Sequence, residues 1–186
     1  VVLEAGQDVL VLGATGSAGR LAVQVARLLG AGRVIAAGRD PDRLAALPRL
    51  GATSTVRLDA DDLAGAAADV DVVLDYLWGE PAAAAMAALI TARRDRSRPL
   101  VWVAIGSVAG LAAPIPSAAL RAARLQIVGS GQGSVGTREI VAELPALADA
   151  IAGGRLEAEA EAVPLSDVTQ AWDHASDRRT VLVPRD

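Results

Sequence analysis

VLVLGATGSAGRLAVQVARLLGAGRVIAAGRDPDR, residues 9–43, carries five patterns in succession. Val9 to Leu12 is a continuous apolar run, the pattern of a strand buried on both faces of a parallel sheet. The glycine-rich GATGSAG, Gly13 to Gly19, follows it. A helical pattern comes next, with Leu21, Val25 and Leu28 on one face and Arg20, Gln24 and Arg27 opposite, ending near Gly30. A second apolar run, Val34 to Ala37, stops at Gly38. Asp40 and Pro41 then read as the N-cap and first position of a second helix.

Outward from this stretch the alternation continues. Thr55 to Leu58, Val70 to Leu74, Leu100 to Ile105 and Leu125 to Val128 read as strands three to six. Pro81 to Thr91 and Thr137 to Ala152 read as helices. Strands alternating with helical patterns imply an α/β fold, a doubly wound parallel six-stranded Rossmann sheet with right-handed crossovers. After Gly153 and Gly154 the character changes. Glu157, Glu159 and Glu161 lead to Val163–Leu165, a helical Ser166 to Ser176 and a last strand, Thr180 to Pro184. The reading is therefore a nucleotide-binding domain over 1–153 and a strand-helix-strand segment over 154–186, packed outside the main sheet or against a missing partner.

Between a buried strand and an amphipathic helix, the glycines of GATGSAG have physical work to do. One permits a tight turn, one lets backbone approach a pyrophosphate, and one lets the helix pack close to the sheet. Free N–H groups and the helix dipole then favour a diphosphate, so the loop points to a dinucleotide. Sites for NAD usually carry Asp or Glu at the end of the second strand, about 20 residues on. Here that position is Gly38, followed by Arg39, with Arg43 one helical turn further. A glycine leaves room for a 2′-phosphate and an arginine can hold it through two N–H groups, which favours NADP(H). The bland alternative is that both arginines are ordinary solvated residues.

Composition narrows the chemistry. The chain has 186 residues with 52% hydrophobic and 2% aromatic content, suited to small side chains at helix–sheet contacts. A net charge of −4 disfavours nucleic acid as a partner, because phosphate backbones demand clustered positive charge. No apolar run reaches the length of a membrane span and nothing resembles a signal peptide, so a cytoplasmic protein is expected. There is no cysteine, one histidine (His174) and no lysine, all 18 basic residues being arginine. That leaves no thiolate, no Cys-built or multi-histidine metal site, and no Schiff-base lysine or Tyr/Lys proton-transfer pair within these residues. The chain begins at Val1, and its only methionine is Met86, as expected for the middle of a longer polypeptide. His174 reads as a surface or capping residue. Trp78 and Trp102 read as packing residues, and Arg93, Arg94, Arg96 and Arg98 as a solvated loop.

The opening stretch, LGAT (Leu50 to Thr53), VDVVLDYLWG (Val70 to Gly79), VWVAIGSVAG (Val101 to Gly110) and IAGGRLEAEAEAVPLSDVTQAWD (Ile151 to Asp173) together resemble the medium-chain dehydrogenase/reductases. The likeness is to the cofactor domain of the quinone oxidoreductase branch and to its C-terminal return into a catalytic domain. The resemblance implies that Gly16, Ser17, Ala18 and Gly19 form the pyrophosphate loop and that Gly38, Arg39 and Arg43 form the 2′-phosphate region. It implies that Tyr76 and Leu77 flank the ribose, with Ile105, Gly106, Ser107, Gly129 and Ser130 near the nicotinamide. It further implies an N-terminal GroES-like catalytic domain upstream of Val1, holding the catalytic residues and any zinc ligands. The expected activity is NADPH-dependent reduction of a carbonyl or activated C=C in a small-molecule substrate, with a homodimer compatible. The fragment alone would be inactive. GATGSAGR also opens short-chain reductases, so an atypical reductase of that type or a non-catalytic NADP(H)-binding protein stays open. The missing Tyr/Lys pair argues against a catalytic version, and the tail against that family.

Overall fold

The computed structural model describes all residues except 1–2, 60, 132, 174–177 and 185–186. Two compact units emerge, Val1–Leu156 and Glu157–Asp186. The first is built on six parallel strands: β1 (Val9–Leu12), β2 (Val34–Gly38), β3 (Ser54–Arg57), β4 (Val72–Asp75), β5 (Leu100–Ala104) and β6 (Leu125–Gly129). Their order is β3-β2-β1-β4-β5-β6. Winding thus runs outward from β1 to β3 and then restarts on the other side of β1, which opens a crevice between the loops after β1 and β4.

Strand residues alternate strictly between two cores. Leu10, Leu12, Ile35, Val73 and Trp102 enter one, with Ala82, Met86 and Leu89 of α4 (Gly79–Ala92) and Ala119 of α5 (Ser117–Ala122). Val9, Val11, Val34, Val72 and Val103 enter the other, with Ala22 and Val23 of α1 (Ser17–Leu28) and Leu44 of α2 (Pro41–Ala45). Burial on both faces explains why β1 and β2 read as unbroken apolar runs. Two helices escaped the sequence reading. These are α3 (Leu63–Ala67) and α5, of five and six residues, too short to show a period of 3.6.

The buried face of α1 is not the expected one. Leu21 and Leu28 are 36% and 39% exposed, while Ala22, Val23, Ala26 and even Gln24 are buried. The cause lies at Gly19, where a Cβ would stand 2.2 Å from the Gly13 carbonyl oxygen. The helix lies so close to the sheet that only the small-residue stripe 19-22-23-26 fits beneath it. Arg93 is a second correction. It is 3% exposed, and its guanidinium donates to the carbonyls of Ala68, Val70, Arg98 and Pro99. Burial pushes its pKa down from the usual arginine range. Arg94 and Arg98 pair with Asp69 and Asp71, each at 2.5 Å. Arg93 therefore ties together the segments that lead into β4 and β5, while Arg94, Arg96 and Arg98 are exposed as expected.

α6 (Thr137–Ala152) buries Ala150 and leaves Ile140, Val141, Leu144, Leu147 and Ile151 exposed. In the second unit, β7 (Ala160–Pro164) pairs in parallel with β8 (Arg179–Val183), and α7 (Val168–Asp173) follows a 3-10 turn at Leu165–Asp167. The two strands form a sheet of their own. His174 lies outside the described residues.

Candidate functional site

The loop after β1 is shaped by hydrogen bonds that turn it out of the sheet. The amides of Gly13 and Ala14 both donate to the Ala37 carbonyl, at 3.0 and 2.9 Å, and Gly16 N–H donates back to Gly13. Gly13 has φ +82, and a Cβ on it would meet Leu77 at 3.0 Å and Tyr76 at 3.3 Å. Glycine is required there on both counts. The loops after β1 and β4 therefore abut at the point where strand order reverses, the position at which open α/β sheets bind ligands.

α1 starts without a side-chain cap at Gly16 and without an acidic residue in its first turn. The opening N–H groups of a helix have no intrahelical acceptor, so those of Ser17, Ala18 and Gly19 are available to an anion, aided by the helix dipole. Gly16, Ser17 and Ala18 are exposed, whereas Gly19 is buried at the helix–sheet contact. A Cβ at Gly16 would find only the Gly13 oxygen, at 3.6 Å, so the outer side of this loop is open.

A cleft of about 610 Å³ runs alongside. Gly13, Thr15 and Gly16 form one side, and Gly38, Arg39 and Arg43 another. Leu58 and Asp59, just beyond β3, extend it outward, and Leu77, Pro81, Val108 and Ala109 close it beside α4. Arg39 and Arg43 are exposed, Arg43 pairing with Asp40 at 3.4 Å. Asp40 caps α2 by accepting from the amides of Asp42 and Arg43, which fixes the backbone that carries both arginines. Gly38 faces Thr15, whose Cγ2 would be 2.6 Å from a Cβ.

Asp75 builds the floor. It is fully buried, accepts from the amides of Leu77 and Trp78 at 2.8 and 3.0 Å through Oδ1, and from Trp102 Nε1 at 2.9 Å through Oδ2. Its backbone carbonyl accepts from Ile105 and Gly106. One residue thus joins the loops after β4 and β5, which is a structural role. Trp78 adopts φ 51, left-handed for a non-glycine residue, and the bond from its amide to Asp75 helps hold it there. Burial pushes the Tyr76 phenol above its ordinary range.

Of the residues expected at the site, Gly16, Gly38, Arg39, Arg43 and Leu77 line this cleft, and Tyr76 abuts it through Gly13. Gly106 packs on the backbone of Tyr76, where a Cβ would lie 2.7 Å from the carbonyl oxygen, and Ser107 is exposed beyond it. Ile105, Gly129 and Ser130 line a second cavity, of about 680 Å³, together with Val9, Val72 and Val101. Thr15, Leu58, Asp59, Pro81, Val108 and Ala109 were not expected. Leu58 reads as a strand residue in the sequence, and only the position of β3 next to β2 brings it and Asp59 to the cleft.

The sequence profile of the zinc-binding dehydrogenase family matches residues 18–152. The chain is 31% identical over 199 residues to the protein named "Probable NADPH-dependent quinone reductase tdiC" of Emericella nidulans, covering 96% of this chain and 54% of that one. Escherichia coli quinone oxidoreductase, solved in complex with NADPH, superposes with a TM-score of 0.75 at 20% identity. That match covers 98% of this chain and 58% of the other. An alcohol dehydrogenase zinc-binding domain protein from Burkholderia ambifaria gives a TM-score of 0.72 at 25% identity, over 91% and 45%. The chain spans about half the length of these relatives. The family's name notwithstanding, the residues present do not suit zinc: there is no cysteine, and among the described residues no three of His, Asp and Glu converge as ligands. The profile match makes this chain a member of the zinc-binding dehydrogenase family, with the strand order of a Rossmann cofactor domain like those of the quinone oxidoreductases it resembles.

Proposed function

We propose that this chain is the NADP(H)-binding part of an oxidoreductase that moves hydride between nicotinamide and a carbonyl or activated C=C, as in quinone or enoyl reduction. The observation that carries the reading is the open crevice at the reversal of strand order, where an uncapped helix start faces Gly38, Arg39 and Arg43. The name of the Emericella relative supports the same cofactor and reaction class. The amides of Ser17, Ala18 and Gly19 hold the diphosphate, and Arg39 and Arg43 take the 2′-phosphate as guanidinium donors. Tyr76 and Leu77 flank the ribose. Ile105, Gly106, Ser107, Gly129 and Ser130 supply backbone near the nicotinamide. When bound, the cofactor supplies the redox chemistry, and the protein orients it and excludes water.

Among the described residues that line this cleft, no side chain is suited to proton transfer. Its ionisable side chains are Arg39, Arg43 and Asp59; arginine stays charged, and Asp59 is held below the usual carboxylate range by its hydrogen bond from Arg57. We assign catalytic residues to another segment, in keeping with relatives about twice the length of this chain, and 154–186 to the return towards it. Titrating NADPH into the isotope-labelled chain tests the reading by amide shifts. They should concentrate at 13–19 and 38–43, while NADPH stays unoxidised on adding a quinone. Shifts confined to other residues, or no shifts at all, would refute the reading, and steady oxidation would refute the missing-catalyst assignment.

A further inference from the structure

We propose that the Asp59 carboxylate reads the base of the cofactor, accepting a hydrogen bond from the exocyclic 6-amino group of adenine and so making the cleft selective for adenine over hypoxanthine. The inference deepens the dinucleotide reading and rests on it.

Placement comes first. Gly38 and Arg57 are register partners at the ends of β2 and β3, and the Leu58 amide donates to the Gly38 carbonyl at 2.8 Å. The chain therefore leaves β3 directly beside Arg39, and Leu58 and Asp59 line the same cleft as Arg39 and Arg43. In the cofactor, adjacent ribose carbons bear the 2′-phosphate and the base. A phosphate held by Arg39 and Arg43 leaves the base within one ring's width of them, on the outer side that Leu58 and Asp59 form.

Chemistry comes second. Half-buried Leu58 offers an apolar surface to a ring face. A carboxylate only accepts, and the 6-amino group is the donor on adenine's outer edge, every ring nitrogen there being an acceptor. Arg57 orients the carboxylate, with Nε 3.3 Å from Oδ1 and a terminal nitrogen 3.4 Å from Oδ2, and keeps it charged. Those two contacts leave lone pairs for a ligand. Hypoxanthine puts a carbonyl oxygen where adenine has the amine, which turns attraction into repulsion.

The test uses NADPH and its 6-deamino (hypoxanthine) analogue, titrated calorimetrically into the full chain and into Asp59→Ala and Asp59→Asn. A charge-assisted hydrogen bond predicts that the wild type favours NADPH by about tenfold. Asp59→Ala should shrink that ratio to within about threefold, and Asp59→Asn, whose amide can donate to the carbonyl, should shrink or reverse it. Asp59 is exposed, so both variants should fold, and unchanged circular dichroism checks this. Equal binding of the two cofactors by the wild type would overturn this inference while leaving the dinucleotide reading intact. A preference that survives both substitutions, or tighter NADPH binding by Asp59→Ala at an unchanged ratio, would also overturn it; the second result would make Asp59 a rival anion for Arg39. Failure of the wild type to bind NADPH would remove both readings.

Discussion

On the proposed reading Gly38 sets the cofactor choice in two ways, and only one of them is visible in the sequence. As a missing carboxylate it removes repulsion toward a 2′-phosphate, which any reader of the second strand can see. In the fold it is also the only residue that fits, because a Cβ would lie 2.6 Å from Thr15 Cγ2 and 3.1 Å from its Oγ1. Installing the acidic residue typical of NAD sites should therefore fail by itself. Gly38→Asp is expected to weaken NADPH and NADH alike, by about tenfold or more, since overpacking costs about 1–3 kcal/mol. Adding Thr15→Ala should restore NADH binding but not NADPH binding, as read by calorimetry. NADH gained by Gly38→Asp alone would show the Thr15 contact to be immaterial. Asp75 shows the same limit of sequence reading. Its position at a strand end is legible, but its tie to Trp102, 27 residues away, depends on β4 and β5 lying side by side.

At the level of elements, the strands were the legible part, because burial on both faces writes itself as an unbroken apolar run. β1 has the limits its sequence implies, and the other five strands of the main sheet shift by a residue or two. The rotation of α1 was not legible. Its leucines look like the core side, yet Gly19 against the Gly13 carbonyl draws the helix in until alanines and Val23 meet the sheet. The consequence is measurable in urea. Val23→Ala removes two methyls from a fully buried site and should cost about 2 kcal/mol, whereas Leu21→Ala, at 36% exposure, should stay within about 0.5 kcal/mol. The reverse order would restore the face that hydrophobic spacing suggests. Arg93 was missed for a related reason. A run of arginines reads as solvated until four backbone carbonyls are seen to converge on one of them.

For the molecule as a whole, the division of labour is the main point. This chain, about half the length of its relatives, carries the cleft, the helix start and both arginines. The exposed apolar residues of α6 and the separate two-stranded sheet belong to parts whose setting the sequence pattern does not specify. Binding and turnover should accordingly separate, with the grip on the adenosine end complete in these 186 residues. Calorimetric titration of the wild type and Arg39→Glu with NADPH and with NADH probes that grip most directly. The wild type should favour NADPH by about tenfold or more, as a guanidinium–phosphate contact requires, and Arg39→Glu should erase the difference by losing NADPH affinity alone. Equal affinities in the wild type, or equal losses of both cofactors in the variant, would contradict the account.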